Sequence, residues 1–177
     1  MSDKFRNKYR IPSARLEGYD YGQNGAYFIT ICTKNRVHFF GEIADREMQL
    51  NELGKIAETE WIRTLELRPD MNLEMGEFVI MPNHFHAIII IGDNQYNTYC
   101  RDAMHRVSTF APQSKNLASI IRGFKSSVTT NARKMGIDFG WQSRFHDHII
   151  RNDAEYRRIE NYIINNPNNW KDDKFQL

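Results

Sequence analysis

The sequence has few of the features that mark secreted, membrane-embedded or disulfide-rich proteins. Its 177 residues contain only two cysteines, Cys32 and Cys100. Two cysteines indicate no disulfide framework and have no zinc-knuckle spacing, which fits a reducing cytosol. The first six residues lack the apolar core of a signal peptide, and the apolar run at 85–91 is far too short to span a membrane. We therefore expect a cytoplasmic protein without a membrane partner.

The net charge of +2 is too small to mark a strongly basic protein, but the positive charges are clustered. Residues 4–15 contain five lysines and arginines and no acid, and residues 101–134 contain seven against Asp102 alone. The acidic residues gather in 42–77 instead. Each basic run alone is as consistent with a solvated surface as with a binding face, but together they are a plausible phosphate footprint.

The apolar pattern predicts four strands and three helices in a single domain that spans residues 1–177. The helices repeat apolar residues at intervals of three and four, and the strands are rich in β-branched and aromatic residues. The predicted elements are, in chain order, a strand at 25–33, a helix at 50–67, strands at 73–81 and 84–91, a helix at 117–135, an extended segment at 141–151 and a helix at 154–166.

Local signals set the boundaries of these elements. Pro82 and Asn83 predict the turn of a hairpin, Gly136 ends the second helix, Asp153 is a suitable N-cap for the last helix and Pro167 closes it. Residues 1–22 are expected to form an extended basic arm. Residues 92–113, without periodicity, predict a long loop.

The order of these elements predicts an α+β fold. The first six elements follow the split βαβ, ferredoxin-like order, in which an antiparallel sheet carries two helices on one face. The last helix must then lie elsewhere, and the open face of the sheet that carries His84 and His86 is the obvious place.

The strand at 84–91 begins with His84-Phe85-His86. Side chains alternate along a strand, so both histidines point to one face and Phe85 to the other. Two imidazoles on one face can hold a metal ion, although such a pair more often consists of exposed or hydrogen-bonded histidines. Beyond the histidines both faces of the strand are apolar, which predicts a central strand covered on both sides.

If the last helix covers the histidine face, Tyr162 comes near His84 and His86. A tyrosine hydroxyl is a competent nucleophile on phosphorus, and a divalent ion could polarise the phosphodiester. Free tyrosine has a pKa near 10, so roughly one in a thousand is ionised at neutral pH, and a nearby cation reduces that deficit. Asn166, four residues later, could be a third ligand of Mg²⁺ or Mn²⁺.

Structural explanations compete with each of these roles. Tyr162 could instead be a buried aromatic that packs the last helix, and Tyr156 lies on the same helix. His146 and His148 are expected to be alternate strand residues, one of them inward and hydrogen-bonded. A second metal site at His146-Asp147-His148 is a weaker alternative.

Several short motifs, each weak alone but in a consistent order, resemble the single-tyrosine HUH transposases (His–hydrophobic–His), and specifically their REP-associated branch. The similarity covers nearly the whole chain. The motifs are residues 14–21, which lead into 25–30, then 81–86, 123–126, 141–142, 147–151 and 162–167.

The resemblance implies a metal-dependent nuclease that acts on single-stranded DNA carrying a hairpin. His84 and His86 match the metal-binding pair, and Tyr162 matches the nucleophile that forms a 5′-phosphotyrosine link without ATP. Insertion-sequence relatives often have glutamine where this chain has the shorter Asn166, so the third ligand is open. REP-associated members are thought to serve repeated palindromes, and relatives act as dimers or as monomers.

We therefore expect a DNA strand transferase with Mg²⁺ or Mn²⁺, and Tyr9, Tyr19 or Tyr21 could stack on unpaired bases. One rival is a domesticated hairpin-DNA-binding protein without transposition activity. Another is a zinc hydrolase in which Tyr162 has no role. The basic residues expected to hold the DNA backbone are Arg10, Arg15, Arg122, Lys125 and Arg133.

Overall fold

A computed structural model describes residues 4–5, 8–9, 19–97 and 114–172. The expectations for Arg10, Arg15, the side chain of Tyr9 and residues 98–113 lie outside this part of the chain. The strands and helices are β1 (Lys4–Phe5), β2 (Lys8–Tyr9), β3 (Gly25–Cys32), β4 (Gly41–Ala44), β5 (Glu47–Leu50), α1 (Glu52–Glu66), β6 (Leu73–Met81), β7 (His84–Ile91), α2 (Leu117–Lys134), β8 (His146–Ile150) and α3 (Asp153–Ile164).

The central sheet has four antiparallel strands in the order β6-β7-β3-β8. This order and the two helices between the strands confirm the predicted α+β, ferredoxin-like arrangement. Strand β7 pairs with β6 and β3 and is therefore central, as its apolar faces predicted. The hairpin between β6 and β7 turns at Pro82 and Asn83, also as expected.

The larger core lies between one face of the sheet and helices α1 and α2. Trp61 of α1, Phe85 of β7 and Phe124 of α2 meet there with ring centroids 4.9–5.2 Å apart. All three side chains are at most 2% exposed. Because Phe85 is anchored in this core, its neighbours His84 and His86 are directed to the opposite face.

The opposite face is covered by α3 through a smaller apolar cluster. Its buried members are Ile88, Ile150, Ile159 and Ile163. Burying an aliphatic side chain contributes about 1.5–3 kcal/mol, so this cluster is what holds α3 against the histidine face. Within the described residues no helix is both long and apolar enough to cross a membrane.

Strands β4 and β5 form a hairpin that the periodicity did not predict. The strands are four residues each, and their two-residue turn has Asp45 and Arg46 in left-handed conformations. The usual sequence signal for such a turn, Asn-Gly or Asp-Gly, is absent. Leu50 pairs in this hairpin, so the first helix begins at Glu52, after the Asn51 cap, and not at Leu50.

The boundaries of α3 differ from the prediction at both ends. Asn152, not Asp153, is the N-cap, because its side chain accepts a hydrogen bond from the amide of Glu155. The helix ends at Ile164, so Asn166 lies in the following turn and not on the helix face of Tyr162. Pro167 disfavours a helical conformation at the residue before it, which explains the early end.

Gly76 of β6 lies beneath Tyr156 of α3, and we predict that Gly76→Ala destabilises the protein. An added Cβ would lie 2.7 Å from Tyr156 Oη and 2.9 Å from Ile88 Cβ. The Ile88 atom is fixed by β7, so overpacking should cost about 1–3 kcal/mol, measured by urea denaturation. Adding Tyr156→Phe, which removes the closest atom, should recover part of the loss. An unchanged midpoint for Gly76→Ala would contradict the prediction.

Candidate active site

His84 and His86 lie side by side on the α3 face of the sheet. Their ring centroids are 4.5 Å apart, and the two residues are 0% and 1% exposed. Adjacent strands supply neighbours on the same face: Phe28 of β3 stacks on the His86 ring with 5.3 Å between centroids. The two imidazoles therefore form one buried, preorganised pair.

Both imidazoles are held at Nδ1 by neighbouring side chains. His84 Nδ1 is 2.9 Å from Asn83 Oδ1, and His86 Nδ1 is 2.8 Å from Thr30 Oγ1. Histidines that bind metals commonly have one ring nitrogen hydrogen-bonded in this way, which orients the other towards the ion. Sequence reasoning missed both partners, since an asparagine in a turn and a threonine in a strand are ordinary residues at those positions.

Tyr162 lies next to this pair, as expected if the last helix covers the histidine face of the sheet. Its Oη atom is 3.3 Å from His86 Nε2, and its ring meets Phe28 edge-on with 6.1 Å between centroids. The side chain is 41% exposed, unlike the buried histidines. A hydroxyl in this position can contact His86 and still be reached by a substrate from solvent.

Tyr156, the other tyrosine of α3, has the packing role that was the alternative for Tyr162. It is half-buried and packs against the apolar cluster that contains Ile88 and Ile159. Burial raises the pKa of Tyr156, and nearby glutamates act in the same direction. Its phenolate is therefore disfavoured, which agrees with a packing role for this tyrosine.

The chain that follows α3 closes over the histidines. The Trp170 ring stacks against that of His84, with 6.0 Å between centroids and 27° between the ring planes, and Trp170 is 8% exposed. Asn166, in the turn between Tyr162 and Trp170, is 2% exposed. Trp170 was not among the predicted site residues; the only sequence signal was a lone tryptophan in a polar stretch. The buried amide of Asn166 keeps it a candidate ligand.

The donor set fits a divalent ion held by two histidines. In the described ranges no group of three His, Cys, Asp or Glu side chains is placed to hold a metal. The ligands from the protein would thus be the imidazoles of His84 and His86 with an amide oxygen, and oxygens of substrate and water would complete the sphere. Imidazole and oxygen ligands are compatible with Zn²⁺ as well as with Mg²⁺ or Mn²⁺.

The alternative metal site at His146-Asp147-His148 is not supported by the described part of the chain. His148 Nε2 instead lies 2.8 Å from Glu155 Oε1, and the Glu155 carboxylate also accepts a hydrogen bond from the amide of Arg151. The hydrogen bond from the Arg151 amide lowers the pKa of Glu155 below its usual range, and the hydrogen bond with His148 has a smaller effect in the same direction. This contact ties β8 to the first turn of α3, a structural role.

The predicted DNA-binding residues of α2 lie apart from the histidines, on the helix layer of the other face. Arg122 and Arg133 are exposed. Lys125 is half-buried, its Nζ donates to the Gln142 carbonyl at 2.6 Å, and burial lowers its pKa. Trp141 Nε1 donates back to the Lys125 carbonyl at 3.1 Å. Lys125 therefore has a structural partner in the segment that joins α2 to β8.

Two of the three tyrosines expected to stack on bases are packed within the protein. Tyr19 and Tyr21 meet edge to face with 5.0 Å between ring centroids, and both pack against the larger core. Tyr19 Oη also lies 3.3 Å from Tyr27 Oη. These contacts give Tyr19 and Tyr21 a role in joining residues 19–22 to the body of the domain.

Comparison with known proteins finds REP-associated tyrosine transposases among the proteins similar to this chain, although no family model matches it. An uncharacterised protein of Haemophilus influenzae is 42% identical over 169 residues, which cover 93% of this chain and 92% of that protein. A REP-associated tyrosine transposase of Escherichia coli K12 is 26% identical over 149 residues, 83% of this chain and 68% of that one. The fold matches the structure of a REP-associated tyrosine transposase bound to a REP hairpin, with a TM-score of 0.56 at 20% identity over 92% of this chain and 73% of that chain.

Proposed function

We propose that the chain, which is 26–27% identical to REP-associated tyrosine transposases, is a metal-dependent endonuclease and strand transferase that acts on single-stranded DNA carrying a hairpin. The observation that carries this proposal is the hydroxyl of the partly exposed Tyr162 side chain, 3.3 Å from Nε2 of the buried His86. The proposed substrates are repeated palindromes.

In the proposed reaction Tyr162 Oη attacks the phosphorus of a phosphodiester. The Oη–P bond forms and the P–O3′ bond breaks, which leaves a 5′-phosphotyrosine and a 3′-oxygen that takes up a proton as the phenol loses one. A 3′-hydroxyl then attacks the phosphotyrosine, reseals a strand and restores the tyrosine. The phosphodiester bond energy is retained in the protein link, so no ATP is required.

The environment of Tyr162 supports this role. Oη lies 3.3 Å from His86 Nε2, so positive charge at that nitrogen favours the phenolate, the nucleophilic form. A divalent cation, Mg²⁺ or Mn²⁺, bound by His84 and His86 with Asn166 as the proposed third ligand, would supply this charge and polarise a phosphodiester oxygen. Burial of the histidines strengthens electrostatic interactions at the reacting phosphate.

Arg122 and Arg133 are the described residues that we propose contact the DNA backbone. They are eleven residues apart on α2, close to three helical turns, so both lie on one face about 17 Å apart. Beside Arg133 a cleft of about 390 Å³ is lined by Ser126, Thr129 and Thr130. Arginine and hydroxyl side chains are common phosphate contacts.

We predict that Arg122→Gln and Arg133→Gln weaken hairpin DNA binding without sequence selectivity. Each removed phosphate contact should raise the Kd about 3–10-fold and lower the slope of log Kd against log salt by about 1. The measurement is a fluorescence anisotropy titration at several salt concentrations. Arg63→Gln on α1, where Arg63 lies 3.7 Å from Glu60, is the matched control and should leave the slope unchanged. If all variants have the same slope of log Kd against log salt, α2 is not part of the DNA interface.

The test of the proposed function is a covalent adduct. The protein is incubated with Mn²⁺ and single-stranded DNA hairpins from palindromes that flank its own gene, then separated on a denaturing gel. A protein–DNA band that EDTA abolishes is the expected result. Hairpin binding without an adduct would favour the DNA-binding module, and DNA cleavage without an adduct would favour a hydrolase.

A further inference from the structure

Asn83, in the turn between β6 and β7, contacts both a histidine of the candidate site and a neighbouring loop. It is fully buried. Its Nδ2 donates to the Arg36 carbonyl at 3.2 Å, and its Oδ1 lies 2.9 Å from His84 Nδ1. The two ends of one amide therefore meet two different groups.

These two contacts together determine which nitrogen of His84 carries the proton. A backbone carbonyl can only accept a hydrogen bond, so the amide nitrogen of Asn83 must face Arg36 and its oxygen must face His84. An amide oxygen is also only an acceptor, so Nδ1 of His84 must be the donor. In the neutral ring the lone pair then lies on Nε2.

Thr30 does not impose the same constraint on His86. A hydroxyl can donate or accept, so the 2.8 Å contact between Thr30 Oγ1 and His86 Nδ1 is compatible with either tautomer. The 3.3 Å contact between His86 Nε2 and Tyr162 Oη has the same ambiguity. His84 is thus the histidine of the pair with a defined tautomer.

The loop that orients Asn83 is itself held in an unusual conformation. Asn35 and Arg36 both have a φ of 55°, in the left-handed region, which asparagine adopts readily but which costs an ordinary residue such as Arg36 roughly 1–2 kcal/mol. Thr33 offsets part of this cost: its amide donates to the Asn83 carbonyl at 2.9 Å, and its hydroxyl lies within hydrogen-bond distance of the carbonyls of Val37, at 2.8 Å, and Asn83, at 2.9 Å. Residues with a strained backbone conformation cluster at active sites and ligand-binding segments.

We propose that Asn83 is a positioning residue that fixes His84 in the tautomer with its lone pair on Nε2, ready to bind a divalent cation. The cation part rests on the proposed function, whereas the tautomer follows from hydrogen bonding alone. Partners of this kind, which act through a ligand, typically change metal affinity 10–100-fold when removed.

The tautomer is tested by nitrogen-15 NMR of the histidine rings in the metal-free, full-length protein at neutral pH. Wild-type His84 should show a protonated Nδ1 and an unprotonated Nε2. Asn83→Ala should lose this preference, and Asn83→Asp, which keeps an acceptor for Nδ1 but loses the donor to the Arg36 carbonyl, should keep Nδ1 protonated. Asn83 has no left-handed φ, so these substitutions add no backbone strain. A wild-type His84 with its proton on Nε2 would overturn the proposal without any variant.

Mn²⁺ titration calorimetry supplies the second measurement. Asn83→Ala should raise the Mn²⁺ Kd about 10–100-fold. Thr64→Val on α1 is the control for loss of a buried hydrogen bond away from the histidines, because the Thr64 hydroxyl donates to the Glu60 carbonyl at 3.1 Å, and it should leave the Kd and the tautomer unchanged. Unchanged Mn²⁺ affinity in folded Asn83→Ala, or an equal loss in Thr64→Val, would contradict the positioning role. If the wild type binds no Mn²⁺, the proposed function fails, and the ring-nitrogen spectrum still decides the tautomer.

Discussion

Tyr162→Phe should abolish the covalent protein–DNA adduct, with a rate of formation reduced about 10³-fold or more, because phenylalanine has no nucleophilic oxygen. Hairpin binding should persist, since the aromatic ring and its contacts with Phe28 and His86 are retained. The two quantities are measured separately, the adduct on a denaturing gel under single-turnover conditions and binding by fluorescence anisotropy. Full binding with no adduct is the pattern that assigns Tyr162 to chemistry.

Tyr156→Phe is the matched control because it makes the same change on the same helix. Tyr156 packs in the apolar cluster beneath α3, where no histidine contact is described for it. We expect Tyr156→Phe to form the adduct at close to the wild-type rate. An adduct that survives in Tyr162→Phe and disappears in Tyr156→Phe would show that the nucleophile is Tyr156 and that α3 rearranges when DNA binds.

The second large effect is expected at the histidine pair. His84→Ala and His86→Ala should each raise the Mn²⁺ Kd at least about 100-fold, because loss of a ligand should exceed the loss caused by removing a partner of a ligand. Adduct formation at fixed Mn²⁺ should fall accordingly, and excess Mn²⁺ should restore part of it. Calorimetry measures the affinity, and the gel measures the rescue.

His148→Gln provides the control for a histidine on the same face of the sheet. His148 bonds Glu155 at 2.8 Å and is expected to contribute to the docking of α3, not to metal binding. Its substitution should leave the Mn²⁺ affinity unchanged. If His84→Ala and His86→Ala bind Mn²⁺ as tightly as the wild type, the pair is structural and the proposed metal dependence is wrong.

Much of the fold could be predicted because its signals are local. The period of two in β7 separates Phe85 from His84 and His86, and this alternation places the histidines on one face whatever the surroundings. Pro82-Asn83 and Gly136 mark a turn and a helix end through their own backbone preferences. The order of strands and helices then restricts the topology to few possibilities, of which the ferredoxin-like one is observed.

Only the tertiary structure decided how the site is assembled, because its contacts join residues far apart in the chain. Thr30 and His86 are 56 residues apart, and Tyr162 and His86 are 76 apart. No periodicity could distinguish Tyr162 from Tyr156; the docking of α3 through Ile159 and Ile163 buries one and leaves the other beside His86. Two other contacts also form only when distant segments come together in the folded chain: the hydrogen bond between Lys125 and Gln142, and the packing of Trp170 over His84.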